Sequence, residues 1–147
     1  MQRRTLLTVG LFTGIVGAVQ AHGSRAGDLQ IDHPYALPSA PGATEGSAHL
    51  RALSNRGHTA DRLLSASTAV ADAVELQRAG QPVASIELPP GATLSLRHDS
   101  AWRLRLTGLK APLVDGQRFA LRLRFEHAGE REVTVWVQQP RAATHAH

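Results

Sequence analysis

The sequence predicts an all-β, single-domain protein, an antiparallel β-sandwich or barrel with little helix, and three observations carry that expectation. Apolar and polar residues alternate with period two through the C-terminal third. Turn residues recur between short apolar runs along the chain, and no segment has a long, capped 3.6-residue pattern.

Taken in chain order, strands are expected near 28–36, 46–54, 61–68, 72–78 and 82–88. Turn signals divide them at Asn55-Arg56-Gly57, Ala79-Gly80-Gln81-Pro82 and Pro89-Pro90-Gly91. Leu94 and Leu96 alternate with Ser95 and Arg97, and Trp102, Leu104 and Leu106 with Arg103, Arg105 and Thr107. After a turn at Asp115-Gly116, Phe119, Leu121, Leu123 and Phe125 alternate with Ala120, Arg122, Arg124 and Glu126. Val133, Val135 and Val137 alternate with Thr134, Trp136 and Gln138. Between these last two strands His127-Ala128-Gly129-Glu130 reads as a hairpin turn, with Gly129 free to take positive φ. Residues 141–147, ending Thr144-His145-Ala146-His147, have no apolar anchor and are expected to form a mobile tail.

Residues 1–21 have the three parts of a secretory signal: a basic start at Arg3 and Arg4, an apolar stretch from Leu6 to Val19, and small residues at Val19 and Ala21 before a cut at His22. Arg3-Arg4-Thr5-Leu6-Leu7 also fits a twin-arginine signal, so export could run through either route. No later segment approaches the roughly 20 apolar residues of a spanning helix, and no stable membrane insertion is expected after cleavage. The remaining 22–140 is the size of one domain with one core.

Sixteen basic residues face twelve acidic ones in the whole chain; losing Arg3 and Arg4 leaves fourteen against twelve. That balance, with arginines spread along the chain and no aromatic interleaving, gives no nucleic-acid footprint. There is no cysteine, and the only methionine, Met1, leaves with the signal. The exported protein then has no sulfur ligand, which excludes a blue-copper site and any thioether Cu(I) site. All eight histidines lie at or after His22.

Several runs, in order, resemble the periplasmic PCu(A)C copper-chaperone family. They are Ala26-Gly27-Asp28-Leu29, Ile31-Asp32-His33-Pro34-Tyr35-Ala36, Gly46-Ser47-Ala48-His49-Leu50, Asp61-Arg62-Leu63-Leu64 and Val74-Glu75-Leu76-Gln77. Ile86-Glu87-Leu88-Pro89-Pro90-Gly91, Gly108-Leu109-Lys110-Ala111-Pro112-Leu113, Asp115-Gly116 and Leu123-Arg124-Phe125-Glu126 continue the match. The resemblance implies a cupredoxin-like β-barrel that binds one copper and delivers it in the periplasm, typically toward the copper centre of cytochrome oxidase. The family's site implies a histidine where this chain has Gln77, a methionine in the next loop, and a His-x-Met pair where it has Arg103 and Arg105. None of the four is present, the loop after Gln77 is short, and two arginines repel a cation by about 1–4 kcal/mol per charge at contact. The family's Cu(I) ligands are therefore not carried over.

Any copper site left to this chain is rich in nitrogen and oxygen, which suits Cu(II). A first-residue His22 fits it best, because its α-amine and Nδ1 close a six-membered chelate ring and a second imidazole opposite completes a histidine brace. The amine has an ordinary pKa of about 7.7–8, so the metal must displace a proton near neutrality, which Cu(II) does well. His98, just before the strand of Arg103 and Arg105, is the first candidate for that second imidazole. His49 and His33 are weaker ones; His49 is expected to face away from its neighbours Ala48 and Leu50, and His33 reads more readily as a structural residue than as a ligand. His145 and His147 could capture metal from the tail, while His58 and His127 look like surface residues in turns.

No catalytic motif is present: Asp28 and Asp32 are too far apart to chelate together, and no Gly-x-Ser-x-Gly or phosphate loop occurs, so an enzyme is not expected. Two functions compete. One is a periplasmic copper-binding or copper-delivery protein built on His22; the other is a metal-free interaction module that docks on a copper enzyme or another chaperone through the Arg103–Arg105 face.

Overall fold

The computed structural model describes residues 25–26 and 28–140; the signal, His22 and the tail with His145 and His147 lie outside the described residues. Its strands are β1 (Arg25–Ala26), β2 (Leu29–Ala36), β3 (Glu45–Asn55), β4 (Asp61–Thr68), β5 (Ala71–Arg78) and β6 (Gln81–Pro82). They continue as β7 (Ile86–Leu88), β8 (Thr93–Leu96), β9 (Trp102–Leu109), β10 (Arg118–Phe125) and β11 (Gly129–Val137), with no helix among the described residues. The predicted all-β class and nearly every predicted strand are therefore present.

The strands form one sheet in the order β6-β5-β9-β3-β2-β11-β10-β4-β7, with β1 added on β2 and β8 on β3. β4 and β5 lie near opposite ends of this order, yet only Ala69 and Val70 join them. A two-residue link cannot span an open sheet of nine strands, so the sheet curls until its ends meet, giving the barrel-like layering. The interior is mainly aliphatic: Ile31, Leu50, Leu104, Leu121, Leu123 and Val135 are fully enclosed, and Phe125 is the largest of the fully buried side chains.

Two expectations are corrected. The sheet is mixed rather than wholly antiparallel, because β11 closes against β2 in parallel through Trp136 opposite Tyr35 and Val137 opposite Ala36. These strands are far apart in sequence, so no hairpin dictates their direction. The strand expected over 82–88 is two strands, β6 pairing with β5 and β7 with β4, on opposite ends of the sheet order. Residues 83–85 carry the chain across the seam, and Pro82, which has no N–H, suits an edge.

The turns follow from local chemistry. Between β5 and β6, Ala79 and Gly80 both have positive φ (52° and 81°), the two-residue hairpin geometry that matches strand twist. Between β10 and β11, Phe125 pairs with Gly129 across a three-residue loop, and Gly129 at φ 80° completes it. The buried Asp61 carboxylate clips this loop to β4, accepting the His127 and Arg62 N–H groups at 2.8 Å on Oδ1 and the Ala128 N–H at 2.9 Å on Oδ2.

Removing that carboxylate strands three backbone donors, so Asp61→Ala is expected to lower stability by about 3 kcal/mol, whereas the exposed Asp115→Ala changes it by less than about 0.5. Paired urea unfolding curves check this.

Candidate metal centre

The fork in β3 builds the candidate site. Residues Glu45 to Ala48 of β3 pair with β9, ending at Ala48 opposite Leu104, and from Leu50, opposite Leu96, the same edge pairs with β8. The partner strand changes at His49, and the loop from β8 to β9, residues 97–101, must fall over that position. His98 is in that loop. On the other edge of β3, Tyr35 of β2 stands directly opposite His49, which puts both rings on one face.

The result is a three-ring cluster. Ring centroids lie 5.1 Å apart for Tyr35–His49, 6.0 Å for Tyr35–His98 and 6.1 Å for His49–His98, the last two edge-on. His49 does face away from the core side of Ala48 and Leu50, but it is only 1 % exposed, because Tyr35 and His98 cover it. That cover breaks the alternation of β3, where Ala48, His49 and Leu50 are all buried.

Hydrogen bonds orient both imidazoles. The Tyr35 hydroxyl accepts the backbone N–H of His98 at 3.0 Å and meets His98 Nδ1 at 2.8 Å. His98 Nε2 has no protein partner among the described residues. His49 Nε2 meets the Ser47 hydroxyl at 2.9 Å, while its buried Nδ1 makes no hydrogen bond of normal geometry, the Leu96 backbone acting on the ring only as a weak acceptor. Burial first, then the positive Arg103 and the nearby His98, push His49 down from 6.5 to about 4, so it is neutral at physiological pH, as a nitrogen ligand must be.

The pair fits a metal in chemistry: one uncommitted nitrogen on each ring, and a tyrosine oxygen able to accept Nδ1–H of a His98 that ligates through Nε2, the usual outer support of a metal-bound histidine. It is incomplete alone, since no group of three His, Asp or Glu able to hold a metal occurs among the described residues. The other sequence candidates lie elsewhere. His33 is exposed at φ 53° on β2, and His58 and His127 are exposed in turns, His127 within 3.6 Å of Glu126.

The residues at the positions where the resemblance implied copper ligands do come together. Gln77 stands opposite Arg103, and Glu75 opposite Arg105, across β5 and β9. Arg105 is bonded to Glu45, which holds that carboxyl below its usual value, and lies 3.5 Å from Glu75, which also accepts the Gln77 amide at 2.7 Å. The expected repulsion therefore narrows to Arg103, whose Nη2 donates to the His98 carbonyl at 3.1 Å. The sequence assigns no site role to Tyr35, Ser47, Glu45 or Glu75; the signal it holds is that Tyr35, Ser47 and Glu75 lie inside shared runs and Glu45 just before one.

Fold and site together define a cupredoxin-like domain with a paired-imidazole centre. The chain belongs to the LpqE-like family, whose model, described as "Putative lipoprotein LpqE-like", matches residues 29–137. Its fold is that of PCuAC domains. It matches the apo PCuAC domain from PmoF1 at 24 % identity over 81 % of this chain and 100 % of that one, with a TM-score of 0.73. The copper-bound PCuAC domain from PmoF2 matches at 24 %, over 81 % and 99 %, with 0.74. CuI-DR1885 from Deinococcus radiodurans matches at 22 %, over 74 % and 78 %, with 0.61. No curated protein sequence matches the chain.

The His49 environment gives a signed pH dependence. Above pH 6.5 the ring is neutral folded or unfolded and this linkage is silent; as pH falls from 6.5 to about 4 the unfolded chain takes a proton that the folded one refuses, and stability is lost. The loss is expected to approach about 3 kcal/mol, and His49→Gln flattens the slope in that window, as read by urea unfolding from pH 8 to 4.

Proposed function

We propose that this is an exported, periplasmic copper-binding protein of the chaperone type that holds Cu(II) through nitrogen donors: the amine and imidazole of a first-residue His22 with His98, supported by His49. The observation that carries the reading is the His49–His98 pair, with a free nitrogen on each ring beside a tyrosine hydroxyl. It lacks a third donor, and the copper-bound state of the PmoF2 domain and of DR1885 supports copper as the cargo. The N-terminal signal and the lipoprotein description of the family support export.

Reach also supports His22. Three residues separate His22 from Arg25, which stands opposite Gln30 of β2, and a chain of that length, about 10 Å extended, together with a histidine side chain and a metal bond is long enough for the roughly 17 Å from Gln30 to Tyr35. Sulfur being absent from the mature chain, the donor set favours Cu(II) over Cu(I).

Protein beginning at His22 is expected to bind one Cu(II) by calorimetry. One residue added before His22 removes the chelate and weakens binding by about 10²–10⁴-fold, His98→Ala weakens it by at least about tenfold, and deletion of 141–147 leaves it unchanged. Equal binding by blocked and unblocked forms would sink the reading.

A further inference from the structure

We propose that the cleft beside the imidazole pair binds a single carboxylate, anchored by Arg103. The cleft measures about 300 Å³ and is lined by Glu45, Gly46, Ser47, Gln77, Arg103 and Arg105. Its two arginines are not equivalent. Arg105 is engaged by both Glu45 and Glu75. Arg103 forms no ion pair among the described residues. Its guanidinium is held on one side by the His98 carbonyl, while its Nε is buried and has no acceptor.

A charged donor fixed in place with an unmet N–H is what a carboxylate completes, since the planar guanidinium matches two oxygens at once. The surroundings supply neutral donors as well. Gln77, 6 % exposed and directly opposite Arg103, has its amide positioned by Glu75, and Ser47 contributes a hydroxyl. Charge then sets the ligand class. Arg105 with Glu45 and Glu75 carries one net negative charge, which Arg103 balances, so repulsion from the glutamates grows with the charge of the ligand and a monoanionic carboxylate, matched by the one open arginine, is favoured over a phosphate dianion or a polyanion.

Ser47 both lines the cleft and bonds His49 Nε2, so a carboxylate held there sits one hydrogen bond from the imidazole pair. This deepens the copper reading, and rests on it only for the role of the cleft: an acidic side chain of a donor or acceptor protein, or a free small carboxylate, is received beside the metal donors. Binding itself needs no metal, so its failure is separable from failure of the copper site.

The test is a nitrogen-15 NMR titration of metal-free protein beginning at His22, at constant ionic strength, with acetate and separately with a blocked tripeptide bearing a central glutamate. Saturable shifts of the Arg103 Nε–H and the Gln77 side-chain amide are expected. Arg103→Gln should weaken binding about tenfold or more, and the exposed Arg124→Gln should leave it unchanged. Arg103→Lys, which keeps the charge and loses the fork, should also bind more weakly and serves if the glutamine variant does not fold. Saturation by acetate supports a free carboxylate, and saturation by the peptide alone supports a partner's side chain. No saturable shift with either probe, or equal affinity after Arg103 is replaced, overturns the proposal.

Discussion

The site depends on one hydroxyl. Tyr35 Oη receives the backbone N–H of His98 and meets its ring nitrogen, 63 residues away in sequence, and so ties the β8–β9 loop down onto β2 and β3. Besides that tie the loop is held by the Arg103 contact, by the Ala79 N–H donating to the Ala101 carbonyl at 2.7 Å, and by serine hydrogen bonds around Ser95, Arg97 and Ser100, of which only the Arg103 contact also reaches His98. The tie is possible because β3 changes partners at His49, leaving a gap between β8 and β9 that the loop covers. Backbone topology creates the opening, and the tyrosine decides which side chain fills it.

The chain has the fold of PCuAC domains, and other residues stand at the β5 and β9 positions where the sequence resemblance implied copper ligands. At those positions the cross-strand pairs are now Gln77 with Arg103 and Glu75 with Arg105, a polar network in which Arg105 is matched by carboxylates and Arg103 is not. Such a network rigidifies the strand pair, and it moves the available nitrogen donors away from the β5–β9 face to the Tyr35 side of β3. The tight Ala79-Gly80 turn leaves the next loop no length for an added ligand. A neutral, enclosed His49 and an oriented His98 are the imidazoles brought together on that side, and in the proposed function His22 adds the further donor.

Much of the fold was legible in the sequence where a strand has one buried and one exposed face. β10 and β11 alternate without a break, and the loop between them, with Gly129 at positive φ, follows from residue types alone. Period-two logic fails where both faces are covered, as at Ala48-His49-Leu50, and where the chain changes edges, as between Pro82 and Ile86. The sequence pointed to His98 because it just precedes the strand of Arg103 and Arg105, and to His49 within its shared run; their meeting could not be read, since it depends on strand partners far apart in the chain. Tyr35 was hidden for the same reason. The division of labour between Arg103 and Arg105 was likewise invisible, because Glu45 reaches Arg105 across 60 residues.

Metal held at the proposed Tyr35–His49–His98 cluster is distinguishable from metal captured by scattered surface histidines. One equivalent of Cu(II) is added to protein beginning at His22 and followed by paramagnetic loss of NMR signals. Signals of His98, His49 and Tyr35 are expected to vanish first, with those of His33, His58 and His127 retained. Signal loss confined to residues 141–147, with His98 and His49 untouched, would contradict binding at the cluster.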